Sequence, residues 1–491
     1  MTPHPIRQPE AEAPHFYLWL NGEARRGIST TYRVTNPYNH ALVATVSIAG
    51  RRQIREAVQS AEKAHVELRA MSRFERAELL LKMVQGFHDA RTEIVDALIL
   101  EGGKPRTFAE QEFERTIATF TWAAEEATRF CGEQIPMDGM ARGKGYEGYT
   151  LRRPIGIIFG ITPFNFPLNL VAHKVAPAFA CGNAIIIKPA SNTPISALIM
   201  ARIASESGAP AGSLNVLPMR HQDVPLLLMD ERIKMLSFTG SAETGWALKK
   251  IARKQRVTLE LGGNSGSYVD VSADLDRAAE RLALGGFAQA GQSCIAVQRI
   301  YVHQDVYDTF TKRLVTAARA TKAGDPRDAD TVTGPLISAR DVDRVLAWIE
   351  EAVADGAVIA CGGKRLSEGC GQIIEPTVLT HVHDAMLVCC REVFAPLVTV
   401  TPVQDTDEAI RRINDSPFGL QAAVFSHDLR TISRATEDIE AGGIVINDFP
   451  TLRIDHMPYG GTKDSGLGRE GIRSAMLEMS EEKMIVLRRP D

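Results

Sequence analysis

The chain has 491 residues, of which 44% are apolar and 24% are charged, and its formal net charge is −4 at pH 7. This composition is typical of a globular protein, and the length exceeds what one hydrophobic core can organise, so we expect about three domain-sized units. Charges of both signs are mixed along the chain. Nucleic acid and anionic membranes favour a clustered basic surface, so we expect neither as a partner.

The cysteines are few, seven in all, and none stands in a Cys-x-x-Cys pair. Their spacing matches neither a zinc site nor a disulfide framework, so we expect free thiols in a reducing compartment and no bound metal. His381 and His383 stand close in sequence, but a solvated loop is the simpler interpretation. The start of the chain lacks an apolar core of signal-peptide length. The sequence therefore predicts a soluble, cytoplasmic protein.

The first elements in chain order are an arm and a helical region. Residues 1–20 are rich in proline and charge and are predicted to form a loose arm. From about 51 to 130, apolar residues recur three and four positions apart, which predicts amphipathic helices. Residues 131–154 suit a protruding hairpin, and residues 476–491 end in a short β-like run. Either would supply an edge strand for subunit contacts; a surface loop and a frayed tail are the alternative.

Short β-branched runs alternate with helical segments in the rest of the chain. Apolar strands separated by helices are typical of βαβ units and a buried parallel sheet. We therefore predict an α/β protein with two such domains. The predicted strands lie at 155–163, 184–189, 214–218, 235–241, 257–263, 299–303, 396–403, 421–426 and 443–449.

Several polar residues directly follow predicted strands, where ligands of open α/β sheets bind. Gly240 and Ser241 end a β-run just before a helix, which suits a pyrophosphate at a helix N-terminus, although Ser241 is equally suited to be an ordinary N-cap. Lys188 ends another strand and would meet a ribose or a phosphate. GLGREG, at 466–471, matches the dinucleotide pattern G-x-G-x-x-G, but too little chain follows it for a βαβ unit, so we interpret it as a turn.

Three further residues are candidates for covalent chemistry. Glu260 lies at an apolar strand end before two glycines, where burial would raise its pKa towards the range of a general base. Asn165 also follows a strand and would donate to a developing oxyanion, a contribution of roughly 3–4 kcal/mol per donor. Cys294, in QAGQSC, is either a reactive thiol or one more small buried side chain, and composition does not separate the two.

Seven ordered motifs between residues 162 and 420 resemble those of the aldehyde dehydrogenase superfamily: TPFNFP, KPAS, FTGS, LELGGN, GQSC, EVFAP and NDSPFGL. The resemblance extends over nearly the whole chain, from about residue 18 to 488. The match is best to the branch of lactaldehyde, non-phosphorylating glyceraldehyde-3-phosphate and phosphonoacetaldehyde dehydrogenases. The resemblance implies an α/β aldehyde dehydrogenase-like fold and a homodimer or homotetramer. Its parts would be a Rossmann-like cofactor domain (1–131 and 153–261), an α/β catalytic domain (262–470) and a small β oligomerisation flap (132–152 and 471–491).

The resemblance also implies a reaction, the oxidation of an aldehyde by NAD or NADP through a thioester. Cys294 would be the nucleophile, Asn165 would donate to the oxyanion, and Glu260, 34 residues before the cysteine, would be the base that activates water. Lys174 and Glu470 would form a second proton relay. The cofactor pocket would consist of Thr162, Phe164, Lys188, Ser191, Gly240, Ser241, Leu261, Glu392 and Phe394.

Two positions depart from the usual family pattern. Many NAD-preferring relatives carry glutamate where this chain has Ser191, and a carboxylate there would repel the 2′-phosphate of NADP. We therefore expect NADP to be tolerated and NAD to remain usable. In EVFAP, Ala395 stands where the usual family pattern has glycine, and this difference affects only the local loop geometry.

The substrate residues implied by the resemblance are Arg115, His173, Ser293 and Arg453. Arg115 matches an arginine that relatives use for an anionic substrate group, and Arg453 lies in the loop over the substrate mouth. His173 replaces a bulky aromatic residue, whereas Ser293 stands where anion-specific relatives carry arginine. Together they imply a short polar or anionic aldehyde held by guanidinium groups. A helix-surface ion pair for Arg115 and a structural loop role for Arg453 are the alternatives.

The candidate substrates are lactaldehyde, sulfolactaldehyde, glyceraldehyde 3-phosphate, phosphonoacetaldehyde and succinate semialdehyde. Two other functions stay open. Transfer of the acyl group to coenzyme A is disfavoured because relatives with that activity typically lack a glutamate at position 260. A non-catalytic protein that reuses the fold is disfavoured because it would not need Cys294, Glu260, Asn165 and Lys188 together.

Overall fold

The computed structural model describes residues 13–28 and 30–489. Most of the predicted arm, residues 1–12, lies outside the described residues. From residue 13 onward the prediction of a loose arm is wrong: His15–Phe16 and Leu18–Leu20 are strands. Leu18 and Leu20 are fully buried because alternate positions of a strand point to the same face, here towards the core.

The first large sheet has a parallel centre and antiparallel edges. Ile157–Ile161 and Ala184–Lys188 are buried at every position, as strands covered by helices on both faces require. In spatial order, its strands are Gly466–Leu467, Arg256–Glu260, Ile233–Thr239, Ile157–Ile161, Ala184–Lys188, Leu214–Val216, Leu18–Leu20 and Glu23–Arg25.

The edge of this sheet corrects one prediction. GLGREG does not form only a turn, since Gly466–Leu467 is a short strand antiparallel to Arg256–Glu260. Pairing there satisfies backbone groups that the end of Arg256–Glu260 would otherwise leave open. The motif therefore lies beside Glu260.

The second large sheet is parallel except at one edge, where Val358–Cys361 runs antiparallel. Ser265–Val269 lies in its middle and is buried throughout, although the sequence did not predict it as a strand. Its alternating Ser and Gly conceal the apolar pattern that identifies a buried strand. In spatial order, the strands are Val358–Cys361, Thr377–Thr380, Leu397–Val403, Val297–His303, Ser265–Val269, Gln421–Phe425 and Gly443–Ile446.

Three small sheets complete the strands of the described residues. Tyr146–Pro154 pairs antiparallel with both Gln134–Ile135 and Ser480–Arg488, and we call these three strands the flap. They confirm the predicted hairpin and the predicted C-terminal strand. The other two sheets consist of His15–Phe16, Leu42–Ser47 and Thr31–Thr35, and of Phe418–Gly419 with Thr462–Lys463.

The predicted helical region, 51–130, forms four consecutive helices. None of the helices in the described part of the chain combines the length and the apolar character that a membrane crossing requires. The α-helices are Arg51–Ala70, Arg73–Asp89, Arg91–Gly102, Arg106–Arg129, Asn169–Cys181, Ile195–Glu206, Val224–Leu228, Ala242–Ile251, Leu275–Phe287, Tyr307–Ala320, Ala339–Ala354, Leu387–Cys390, Thr406–Asn414, Leu429–Asp438 and Ile472–Glu478.

Two buried glutamates from this helical region hold the starts of two other helices. Glu101 accepts hydrogen bonds from the first two backbone N–H groups of Ile195–Glu206. Glu112 accepts two more at the start of Asn169–Cys181, and its other oxygen pairs with the buried Lys104. Helix N-termini expose unpaired N–H groups and a positive dipole end, which a carboxylate satisfies. The helices so held directly follow loops of the first sheet that carry predicted site residues.

Candidate active site

A cavity of about 310 Å³ lies between residues that follow strands of the first sheet and loops of the second sheet. A concave site at the carboxyl ends of parallel strands is where α/β proteins bind ligands. Of the predicted site residues, those that line it are Arg115, Phe164, Asn165, Gly240, Ser241, Glu260, Leu261, Ser293, Cys294, Glu392, Phe394 and Arg453. Those outside its lining are Thr162, His173, Lys174, Lys188, Ser191 and Glu470.

Cys294 is half-buried in this cavity, and its Sγ lies 3.1 Å from the Oη of Tyr459. Burial raises the pKa of the thiol to about 12. The thiol therefore keeps its proton at neutral pH, and a reaction at sulfur needs groups that stabilise the thiolate as it forms.

The backbone just before Cys294 is constrained. Gln289, Ala290 and Gly291 all have left-handed backbones, with φ of 51°, 57° and 64°. A Cβ on Gly291 would lie 2.3 Å from the carbonyl oxygen of Ala395, so only glycine fits there. Non-glycine residues with positive φ cost energy and cluster at functional sites. This turn presents Cys294 to the cavity.

The two glycines of LELGGN permit two close approaches. A Cβ on Gly262 would lie 2.3 Å from a carboxylate oxygen of Glu392, and one on Gly263 would lie 2.2 Å from the carbonyl oxygen of Cys294. Glu392 also accepts a hydrogen bond from the backbone N–H of Gly263, at 2.9 Å. The glycines therefore bring both Glu392 and the cysteine loop against the strand that ends in Glu260.

Asn165 is buried beside the cysteine loop. The side-chain Nδ2 of Asn165 donates to the backbone carbonyl oxygen of Gln292 at 2.9 Å. The backbone carbonyl oxygen of Asn165 accepts from Nε2 of Gln289 at 2.5 Å. One N–H of the amide is thus used to hold the loop. The second N–H remains for an oxygen atom bound in the cavity.

Glu260 and Glu470 are both buried, but their ionisation differs. Burial, followed by the charge of Glu470, raises the pKa of Glu260 well above its ordinary value, and neither carboxyl oxygen has a hydrogen-bond partner among the described residues. Burial would also raise the pKa of Glu470, but Lys174 and Arg453 hold it below the ordinary value. Their nitrogens lie 2.8 and 3.0 Å from its two oxygens. The surroundings of Glu260 therefore favour its protonated form, whereas those of Glu470 favour the carboxylate.

Asp455 contacts Arg115 and His173, which the sequence analysis treated as separate candidates. Asp455 itself was not among the residues predicted from sequence. Arg115 donates to both of its carboxylate oxygens, at 2.8 and 3.1 Å. Asn169 and His173 reach Oδ1 at 3.0 and 2.9 Å. Burial alone would raise the pKa of Asp455, but His173 and Arg115 lower it, so the carboxylate is ionised. An acidic residue two positions after Arg453 was the available sequence signal.

These contacts differ from the helix-surface ion pair given as the alternative for Arg115, whereas the pairing of Arg453 with Glu470 fits the structural loop role given as its alternative. Arg115 forms an ion pair, but with a loop residue 340 positions away rather than across a helix surface, and its side chain still lines the cavity. Arg453 is buried, and its Nε has no hydrogen-bond partner among the described residues. His173 lies behind Asp455, where burial, followed by the charge of Arg453, lowers its pKa to about 4, so the ring is neutral.

Six of the nine predicted cofactor residues line the cavity: Phe164, Gly240, Ser241, Leu261, Glu392 and Phe394. Ser241 caps the helix Ala242–Ile251, with its side chain accepting from the N–H of Thr244, so it is the N-cap that the sequence allowed. Gly240 before it leaves the helix N-terminus open to an anion. Phe164 and Phe394 pack edge to face, with their ring centroids 5.9 Å apart.

The neighbouring strand end has unsatisfied polar groups that fit a nucleotide. Lys188 is buried, its Nζ approaches only the carbonyl oxygen of Pro189 among the described residues, and burial lowers its pKa to about 8. The hydroxyl of Thr162 is buried without a described partner. Ser191 lies just beyond and is exposed. A buried lysine without a carboxylate partner is suited to a ligand that brings hydroxyl or phosphate oxygens.

The remaining candidates for metal or redox chemistry are accounted for by ordinary contacts. No group of three or more His, Cys, Asp or Glu side chains suited to a metal occurs within 13–28 and 30–489. His383 pairs with Asp355, and His381 contacts Thr380. All seven cysteines are free thiols.

The chain is similar to known proteins both in sequence and in structure. The sequence profile of the Aldehyde dehydrogenase family matches residues 24–485. The 3-sulfolactaldehyde dehydrogenase of Priestia aryabhattai is 39% identical over 477 residues, which cover 97% of this chain and 98% of that relative.

Two solved structures are similar throughout. Aldehyde dehydrogenase 21 from Physcomitrella patens, in complex with the reaction product succinate, has a TM-score of 0.95 and 41% identity over 98% of this chain and 99% of that chain. Glyceraldehyde-3-phosphate dehydrogenase GapN from Methanocaldococcus jannaschii, complexed with NADP, has a TM-score of 0.89 and 35% identity over 94% of this chain and all of that chain. The predicted α/β aldehyde dehydrogenase-like fold is confirmed.

Proposed function

Because this chain belongs to the aldehyde dehydrogenase family of oxidoreductases, we propose that it oxidises a small polar or anionic aldehyde to the carboxylic acid through a thioester on Cys294. The observation that carries the proposal is the single cavity lined by Cys294, Glu260 and Asn165. A thiol, a carboxyl group of raised pKa and an amide donor are the groups that acyl transfer to water requires.

In the first step, Cys294 loses its proton to solvent water, and the Sγ thiolate attacks the carbonyl carbon of the aldehyde. The free N–H of Asn165 and the backbone N–H of Cys294 stabilise the negative charge that develops on the aldehyde oxygen. A nicotinamide bound beside Phe394 and Glu392 would supply the acceptor for the hydride of the aldehyde carbon. Loss of that hydride leaves the thioester.

In the second step, Glu260 in its ionised form takes a proton from water as the water oxygen attacks the thioester carbon. The carbon–sulfur bond breaks, the acid leaves and Cys294 is regenerated. Because burial raises the pKa of Glu260, its carboxylate is a stronger base than a solvated one once the proton has left. Its presence favours water over coenzyme A as the acyl acceptor.

The charges around the cavity favour an anionic substrate. Three cations, Arg115, Arg453 and Lys174, pair with two carboxylates, Asp455 and Glu470. This group of five side chains therefore carries one positive charge in excess. The unpartnered Nε of Arg453 and the guanidinium of Arg115 are the donors available to a carboxylate, phosphate or sulfonate.

The relatives agree with this chemistry. Succinate, the reaction product bound to aldehyde dehydrogenase 21, has a second carboxylate besides the oxidised carbon. 3-Sulfolactaldehyde, in the name of the relative from Priestia aryabhattai, has a sulfonate besides its aldehyde. The candidates remain lactaldehyde, sulfolactaldehyde, glyceraldehyde 3-phosphate, phosphonoacetaldehyde and succinate semialdehyde. For the cofactor, exposed Ser191 places no carboxylate where the 2′-phosphate of NADP would lie, so both NADP and NAD are expected to serve.

The test is NAD(P)H formation at 340 nm with each candidate aldehyde and each nucleotide, for the native enzyme and for Cys294→Ala. We expect loss of activity to background in the variant. Cys390→Ala, which alters a thiol outside the cavity, is the matched control and should keep full activity. Substantial turnover by Cys294→Ala would contradict the mechanism. A kcat/KM for butanal equal to that for succinate semialdehyde would contradict the anionic preference, and stimulation by coenzyme A would contradict hydrolysis.

A further inference from the structure

We propose that Tyr459 is a further catalytic residue, whose phenol donates a hydrogen bond to the sulfur of Cys294 and stabilises the thiolate that attacks the substrate. The inference rests on the proposed role of Cys294 as nucleophile. Its starting point is the 3.1 Å contact between Tyr459 Oη and Cys294 Sγ, within the cavity that both residues line.

The phenol is held in place by the packing of its side chain and by the hydrogen bonds of its backbone. Tyr459 is only 4% exposed and packs with Ile295 and Leu420 in a small apolar cluster against which Cys294 lies. Its backbone exchanges two hydrogen bonds with Glu470, at 3.0 and 2.7 Å. A side chain fixed by packing and by its backbone loses little entropy when its hydroxyl binds the sulfur.

A cation lies over the ring. The guanidinium carbon of Arg453 is 3.8 Å from the ring centroid of Tyr459, and Arg453 is itself held by Glu470. A cation stacked on an aromatic face is attracted by the π-system, and it draws electron density from the phenol, which makes the O–H a better donor. The positive charge also favours a negative sulfur next to the ring.

The direction of the hydrogen bond follows from burial and from the ionisation of Cys294. Burial raises the pKa of Tyr459 well above its ordinary value, so the phenol keeps its proton. A thiolate has no proton to give, so the phenol is the donor once Cys294 is ionised, whereas either atom can donate while Cys294 is a thiol. A hydrogen bond to an anionic acceptor is roughly twice as strong as a neutral one. The contact is therefore weak while Cys294 is a thiol and strong once it is a thiolate. An interaction that strengthens as the thiolate forms lowers the activation barrier of the attack on the aldehyde. Phenylalanine would fill the same space without this donor.

The experiment measures the thiol directly. Tyr459→Phe removes only the hydroxyl, and the rate of alkylation of Cys294 by iodoacetamide is followed from pH 6 to pH 11 by mass spectrometry of its peptide. This range lies below the pKa of the native thiol, about 12, so we expect Tyr459→Phe to slow alkylation about tenfold at each pH, which corresponds to a rise of about one unit in that pKa. With an aldehyde that the enzyme oxidises, the pre-steady-state burst of NAD(P)H should slow by a similar factor.

Tyr301→Phe is the matched control, because Tyr301 is also buried and lies against the guanidinium groups of Arg299 and Arg412, but does not line the cavity. It should leave the Cys294 profile unchanged, and circular dichroism should show both variants folded. An unshifted profile in Tyr459→Phe overturns the inference even when the native enzyme oxidises aldehydes. A shifted profile in an enzyme that oxidises none of the tested aldehydes supports the contact and counts instead against the proposed function.

Discussion

At the scale of residues, Glu260 and Glu470 are the same side chain, both are buried, and burial alone would raise the pKa of each. Two cations reach Glu470 at hydrogen-bond distance and none reaches Glu260, so the pKa of Glu470 lies below its ordinary value and the pKa of Glu260 lies well above it. Two carboxyl groups whose environments separate their pKa values commonly take different roles in one mechanism. We therefore expect Glu260, and not Glu470, to exchange protons with water during turnover.

Replacing Glu260 with Gln should stop turnover after the thioester has formed. Gln has similar volume but cannot take a proton from water, so the intact mass of Cys294-containing enzyme should increase by the acyl group when aldehyde and nucleotide are added. The double variant Glu260→Gln/Cys294→Ala should gain no mass. In the native enzyme, hydrolysis of the thioester should accelerate with rising pH, because the pKa of Glu260 is raised well above its ordinary value and the carboxylate that acts as base appears as the pH rises through it. Undiminished steady-state turnover in the single variant would contradict this role.

Sequence reasoning identified Glu260, Asn165 and Cys294 as candidates because polar residues at strand ends are unusual and because their motifs resemble a known family. It could not identify Asp455 or Tyr459. Asp455 stands 340 positions from Arg115, and Tyr459 stands 165 positions from Cys294. Only the packing of two sheets brings such residues together. The raised pKa of Glu260 was expected from its burial, but the lowered pKa of Glu470 was not predictable, since it depends on which buried carboxyl meets a cation.

At the scale of elements, loops that carry site residues are fixed by side chains from another part of the chain. Asn165 lies in the loop before the helix Asn169–Cys181, and Glu112, from the long helix Arg106–Arg129, binds the N-terminus of that helix. Glu112 also pairs with Lys104, and both are fully enclosed. Burial alone would lower the pKa of Lys104, so its charge depends on Glu112. The position of Asn165 thus depends on a buried ion pair outside the cavity.

Glu112→Gln should lower the free energy of unfolding by about 3–5 kcal/mol, since removing one partner of a buried pair leaves the other without a counterion. The measurement is urea-induced unfolding monitored by tryptophan fluorescence. Glu125→Gln is the matched control on the same helix, because Glu125 forms an exposed pair with Arg129. We expect a change of at most about 0.5 kcal/mol there. Equal midpoints for the two variants would contradict a structural role for the buried pair.

The elements themselves were predicted unevenly. Apolar runs such as Ile157–Ile161 are recognised as strands from sequence, because a strand buried on both faces needs apolar residues throughout. Ser265–Val269 is equally buried but is composed partly of Ser and Gly, so local sequence does not distinguish it from a loop. Leu18–Leu20 was hidden by the proline and charge that precede it.

At the scale of the whole molecule, the flap carries five large apolar side chains that are exposed on two neighbouring strands. Met484, Val486 and Leu487 of its edge strand and Tyr146 and Tyr149 of the central strand are each more than a third exposed. An edge strand with unpaired backbone groups and exposed apolar residues is suited to pair with another chain. We expect the flap to be the contact between subunits of a dimer or tetramer.

Val486→Asp should weaken that association, because it places a charge in an apolar contact. Light scattering coupled to gel filtration should give the native protein the mass of two or four 53.7 kDa chains and the variant a smaller mass. Leu429→Asp, at an exposed leucine of the helix Leu429–Asp438 outside the flap, is the control and should keep the native mass. A native protein that elutes as a single chain would contradict a role for the flap in assembly.

The pairing of Arg488 with Tyr146 has a practical consequence for anyone who labels this enzyme. A fluorescent protein or affinity tag joined behind the strand Ser480–Arg488 would emerge beside the start of the central flap strand. A bulky fusion at that end would compete for the surface on which assembly is expected to depend, whereas a short, charged linker would displace the label from it. The choice of fusion end is thus itself a probe of quaternary structure, and activity lost on fusion there should not be attributed to damaged chemistry at Cys294.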